Sequence, residues 1–149
     1  MKDKILLAAQ EAFSLRIKNG SVSEHTKNSS TVAKAWMEAC WKLDPDRIRT
    51  EVSIHPGLNQ RIDVLDNEEM RAFEFKVSGK NATTEFYKDA VKAILWNEEH
   101  DRKIKELVFI TEETWGRKYL DTAMPQAFIK YLKRSGLSVE IVFVNFSQS

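Results

Sequence analysis

The chain has 149 residues, 42% of them hydrophobic and 30% charged, and carries a formal net charge of +1. Those proportions exclude a disordered or collagen-like chain and point to one soluble domain large enough to bury a core. A single cysteine, Cys40, excludes an intramolecular disulfide and a cysteine-based zinc site. Near-neutral charge gives no basic excess of the kind that usually advertises nucleic-acid binding, yet leaves room for a local basic stripe.

Asp3 to about Lys18 repeats apolar residues at Ile5, Leu6, Ala9, Phe13 and Ile17, which predicts a helix ended by Asn19-Gly20. A polar linker from Ser21 to Ser29 is expected next, with Ser29 or Ser30 capping a second helix. That helix carries Val32, Ala33, Trp36, Cys40 and Leu43 and is stopped at Asp44-Pro45. Three strands are predicted around Val52-Ile54, Arg61-Leu65 and Ala72-Val77, joined by turns at Pro56-Gly57 and Asp66-Asn67. A helix over Thr84 to Glu98 is expected to turn Tyr87, Ala90, Val91, Ile94 and Leu95 inward. Glu106 to Thr111 reads as a buried strand, Leu120 to Arg134 as one helix closed by Ser135-Gly136, and Val139 to Asn145 as a last strand. The order α-α-β-β-β-α-β-α-β implies an α/β domain with a central mixed five-stranded sheet flanked by helices, its strand-helix-strand tail paired in parallel. Residues 1–149 are expected to form one domain, with 1–29 an N-terminal helix and linker and 30–145 the core. No stretch approaches the ~20 apolar residues that span a bilayer and none at the start resembles a signal peptide, so a cytoplasmic protein without membrane contact is expected.

The chemistry concentrates on two of the strands. In Arg61-Ile62-Asp63-Val64-Leu65 and Ala72-Phe73-Glu74-Phe75-Lys76-Val77, polar and apolar residues alternate. If Asp66 pairs with Arg71, Asp63 falls opposite Glu74 and both share a face with Lys76, while Ile62, Val64, Phe73 and Phe75 share the other. Two adjacent carboxylates repel unless a cation lies between them. A hard divalent cation suits such oxygen ligands and accepts a phosphate oxygen as well, with the Phe75 carbonyl as an extra ligand. Lys76 is then placed to orient or deprotonate an attacking water, or to offset charge on a phosphate. Asp101-Arg102-Lys103 has the same acid-x-lysine form but sits in a charge-dense stretch without strand alternation, as a solvated surface does.

Asp63, Glu74-Phe75-Lys76 and the flanking elements resemble the PD-(D/E)XK nuclease superfamily, the restriction-endonuclease-like fold, over roughly residues 30 to 145. The literal Pro45-Asp46 lies in a turn after a helix, so Asp63 is the matching acidic residue. The resemblance implies a Mg²⁺-dependent endonuclease, with Mn²⁺ able to substitute, that hydrolyses phosphodiester bonds in DNA before RNA. It makes Asp63 and Glu74 metal ligands and Lys76 the catalytic lysine, with either Glu38 or Glu51 as an additional ligand. Relatives of this kind serve in restriction, repair, junction resolution and phage-host conflict. The alternative is a non-catalytic module that keeps the fold and binds nucleic acid or protein. Lys80, Asn81, Lys88 and Lys92 flank the motif and are candidate phosphate contacts. Trp115-Gly116-Arg117-Lys118 follows the buried strand and reads as structural before base-stacking. A domain this small, without a separate recognition module, implies a homodimer, a partner subunit, or a structured or nicked substrate.

Overall fold

Alternating apolar residues build one sheet whose five strands lie side by side in sequence order. A computed structural model describes the backbone of residues 1–19, 25–77 and 81–145, and side chains of residues 1–15, 30–77 and 81–145. The elements are α1 (Lys2–Asn19), α2 (His25–Leu43), β1 (Ile48–His55), β2 (Leu58–Asp66), β3 (Arg71–Lys76), α3 (Ala82–Glu99), β4 (Glu106–Glu112), α4 (Glu113–Leu120), α5 (Ala123–Arg134) and β5 (Ser138–Val144). The sheet order is β1-β2-β3-β4-β5, antiparallel across β1-β2-β3 and parallel across β3-β4-β5. The chain is therefore α/β with a mixed five-stranded sheet flanked by helices, and β3 is both its central strand and the point where pairing changes sense.

Each face of the sheet has its own core. On one, Ile5, Phe13, Trp36 and Cys40 of α1 and α2 cover Val64, Phe73, Phe75, Val108 and Ile110. Trp36 is fully buried, donates its indole N–H to the Ile5 carbonyl at 3.2 Å and meets Phe75 edge-on at 5.3 Å. One side chain thus ties α1, α2 and β3 together. Cys40 lies in the same layer, and burial pushes its thiol up to about 12, so it is an inert core residue. On the other face, α3 and α5 cover Leu65, Ala72, Leu107 and Leu137, while Phe86, Phe109 and Leu120 join α3, β4 and α4. Both crossovers, α3 and the α4–α5 pair, lie on this face, as right-handed crossovers do when β3, β4 and β5 advance in one direction across the sheet.

Several expectations shift. Helix α2 starts at His25, so Ser29 and Ser30 lie inside it rather than at its cap; the turns before Val32 carry no apolar signal. The helix expected from Leu120 to Arg134 is α5, which starts three residues later at Ala123, and a further short helix, α4, precedes it and ends at Leu120. Ile62 leaves the face it was expected to share with Val64 and packs with Ile54 and Leu65 on the α3 side. Glu51, with a left-handed φ of 49°, sits at the level of that change of phase in the β1–β2 hairpin.

Gly116 sets how closely α4 approaches the sheet. A Cβ there would lie 2.3 Å from Phe143 Cε1 and 2.9 Å from Thr111 Cγ2. Gly116→Ala should gain helix propensity of up to ~1 kcal/mol but lose more to overpacking, for a net destabilisation of about 1–2 kcal/mol. A melting temperature at or above wild type would show that α4 can lift without cost.

At the opposite end of β2, Asp66 is fully buried and accepts a bidentate pair from Arg47, at 2.8 and 2.9 Å, and the amides of Glu68 and Glu69. Burial pushes this carboxyl upward, but the Arg47 guanidinium and the two amides outweigh it and hold it below the ordinary value. A depressed folded-state value stabilises above the unfolded value and is lost as pH falls through the folded one. Asp66→Asn should therefore cost on the order of 1 kcal/mol at neutral pH. The gap to wild type should close only below the ordinary aspartate value of 3.8. Urea titrations at stepped pH measure it, and a gap constant down to pH ~2 contradicts the assignment.

Candidate active site at the divergence of two strands

The β2–β3 ladder pairs Asp66 with Arg71, Leu65 with Ala72 and Val64 with Phe73. This is the register expected from the apolar alternation, and it continues to bring Asp63 beside Glu74. Beyond Val64 side chains take over from the ladder. The Asp63 amide donates to Glu74 Oε1 at 3.3 Å, and the Phe75 amide donates to Asp63 Oδ2 at 3.4 Å. Phe75 meanwhile turns its ring into the α1–α2 core. Each carboxylate is thus fixed by the strand that carries the other.

Helix α3 adds two charged residues from above. Lys92 Nζ lies 2.7 Å from Glu74 Oε1 and 2.9 Å from Asp89 Oδ1, and donates to the Arg61 carbonyl at 2.8 Å. Asp89, Lys92 and Glu74 are all buried, whereas Asp63 is partly exposed. Lys76 is also partly exposed and lies 3.4 Å from Glu85, again on α3. Thr111 of β4 pairs with Lys76 in register and buries its hydroxyl beside it.

The electrostatics are unbalanced. Three carboxylates (Asp63, Glu74, Asp89) face two ammonium groups (Lys76, Lys92), so full ionisation leaves an excess of negative charge before Glu85 is counted. Burial first, and then repulsion from Asp89 and Asp63, pushes the Glu74 carboxyl well above its ordinary value despite Lys92. Burial likewise raises Asp89, against the opposing pull of Lys92 and Lys76. Lys92 is raised as well: burial lowers it, but Glu74 and Asp89 more than reverse that. Burial also lowers Lys76, yet Asp89, Asp63, Glu74 and Glu85 together hold it above the ordinary lysine value. Lys76 is accordingly a cation at neutral pH and not a free base, which leaves two of the three roles expected for it, orienting water and offsetting phosphate charge.

The remaining residues singled out in the sequence fall elsewhere. Glu38 is exposed and pairs with Lys42 one turn on. Glu38 and Glu51 line a groove of about 310 Å³ between α2 and β1 with Lys34, Met37, Trp41 and Thr50, a lining that includes neither Asp63 nor Glu74. The third carboxylate gathered at Glu74 is instead Asp89. Lys92, expected beside Lys88 on an exposed phosphate-contacting face, is buried because its ammonium is drawn to Glu74 and Asp89; Lys88 stays exposed. Asn81 is exposed with a left-handed φ of 61° just before α3, and Lys80 lies outside the described residues.

Among the described residues, no three or more His, Cys, Asp and Glu side chains stand grouped as ligands for a metal ion. Two features nevertheless fit an added cation or proton. Glu74 Oε2 and Asp89 Oδ2 are buried without a hydrogen-bond donor, and the cluster carries the charge excess just described. Buried acceptors of this kind cost about 1–3 kcal/mol each when left unmet. Among the described residues no helix is long and apolar enough to cross a membrane. The chain matches no protein-family model, no curated protein and no solved structure.

Proposed function

We propose that this protein is a metal-dependent nuclease of the restriction-endonuclease-like, PD-(D/E)XK type, hydrolysing phosphodiester bonds in DNA. The observation that carries the reading is the gathering of Asp63, Glu74 and Lys76 at the divergence of β2 and β3, with Glu74 Oε2 buried and unmet. Asp63, Glu74 and the Phe75 carbonyl would hold Mg²⁺ or Mn²⁺, which supplies an activated water and offsets charge on the phosphate when bound. Lys92 keeps Glu74 toward its ionised form and so available as a ligand. Asp89 holds Lys92 in place from the same helix. Lys76, protonated and partly exposed, orients water and meets the charge that grows on the phosphate oxygens. The small domain would act as a homodimer or with a partner subunit.

One observation favours a non-catalytic module that binds nucleic acid or protein: Lys92 already pairs with both Glu74 and Asp89. Incubation with supercoiled, linear and single-stranded DNA and with RNA, in Mg²⁺, Mn²⁺ or EDTA, separates the two. Metal-dependent cleavage of a DNA substrate is expected. No cleavage anywhere in the panel sinks the nuclease reading in favour of the binding module.

A further inference from the structure

Helix α4 springs from the end of β4, where Thr111 pairs with Lys76, and it packs against α3. Its inner side is fixed by Gly116 against Phe143 and Thr111, with the Arg117 guanidinium 4.8 Å from the Phe143 ring centroid. That contact turns the neighbouring positions outward. Trp115 and Tyr119, one helical turn apart, are 40% and 36% exposed, and their rings are parallel within 5° at a centroid separation of 5.6 Å. At that separation parallel rings are slipped, so each leaves part of its π face uncovered. Lys118 Nζ lies 5.7 and 5.3 Å from the two ring centroids. Among the described residues Lys118 makes no ion pair; Glu112 accepts from the amides of Thr114 and Trp115, and Glu113 faces Arg117 at 3.6 Å.

Two exposed aromatic rings with one ammonium about equally close to both, beside the proposed site, match an unpaired nucleic-acid strand. Bases stack on such rings whatever their sequence, and the ammonium meets the backbone. We propose that Trp115, Lys118 and Tyr119 form a base-stacking platform that leads an unpaired DNA strand to the site, so the substrate is single-stranded or splayed DNA, not continuous duplex. This rests on the nuclease reading of Asp63, Glu74 and Lys76.

The test separates binding from cleavage. Anisotropy in EDTA with a labelled oligo-dT of about 20 nucleotides, and with a duplex of equal length, should show tighter binding of the single strand. The Trp115→Ala/Tyr119→Ala protein, its fold checked by circular dichroism, should lose roughly tenfold or more on oligo-dT and little on duplex, while Trp115→Phe retains most of the affinity. Equal binding of both forms by wild type, or unchanged oligo-dT binding by the double variant, overturns the platform. Cleavage in Mg²⁺ is read in parallel. Duplex cleavage indifferent to the double variant rejects the platform and keeps the nuclease. The stacking signature without cleavage of any DNA keeps the platform and rejects the nuclease.

Discussion

Lys76→Ala is expected to lower the rate of metal-dependent DNA cleavage by roughly 10²–10³-fold, the range seen when one preorganised stabilising group is removed from a reacting centre. Its ammonium is held protonated by Asp89, Asp63, Glu74 and Glu85, so its contribution is charge and orientation rather than proton abstraction. Lys76→Arg, which keeps the charge but spreads it over a planar fork, should fall between wild type and alanine. The fold should survive either change. Lys76 is only partly buried and its pair with Glu85 at 3.4 Å is half-open to solvent, a contact worth about 1 kcal/mol or less. Single-turnover cleavage at saturating DNA, set beside a thermal melt, checks both halves of the expectation. Equal rates for wild type and Lys76→Ala would falsify the assignment of the site.

How much of this was legible in the sequence depends on which residues carried an apolar neighbour. The β2–β3 register was legible because Val64 and Phe73 must share the α1–α2 core, and that pairing alone brings Asp63 to Glu74. The α/β order was legible for the same reason. Helix α3 was misread. Its expected inner face included Val91, which is 46% exposed, whereas the buried stripe is Ala82, Phe86, Asp89, Ala90, Lys92, Ala93 and Trp96. Periodicity scores charged residues as outward, so a helix that buries an aspartate and a lysine against a sheet appears rotated. The usable signal was the spacing of Ala82, Phe86, Ala90 and Ala93: alanines let a helix lie close to a sheet, and Asp89 and Lys92 fall on that arc. Helix α4 gave no such signal because it is short and its contact with the sheet is made by Gly116, which has no apolar side chain to mark the buried side. Glu38 and Glu51 drew attention by position along the chain, and only the turn of α2 and the left-handed Glu51 show that they share a different groove.

Lys92 should prove the costlier lysine to the fold, the reverse of its partner in the cluster. Lys92→Met removes the cation shared by Glu74, Asp89 and the Arg61 carbonyl while filling a similar volume. What it leaves is two buried carboxyls without the cation they share, so a loss of about 3–5 kcal/mol is expected. The loss should depend on pH in a definite direction. Glu74 already has a raised carboxyl, Lys92 is what opposes that rise, and its removal raises Glu74 further. A carboxyl raised in the folded state binds protons there before it does in the unfolded chain, so folding gains stability as pH falls through that window. In EDTA, the gap between Lys92→Met and wild type should therefore narrow from neutral pH toward the ordinary glutamate value of 4.5. Adding Glu74→Gln should recover part of the loss, because the pair is coupled and the charge it strands is gone. Urea unfolding of the two variants and wild type across that pH range decides it. A gap that stays flat with pH, or a double variant no more stable than Lys92→Met, would mean that Lys92 contributes packing and not charge.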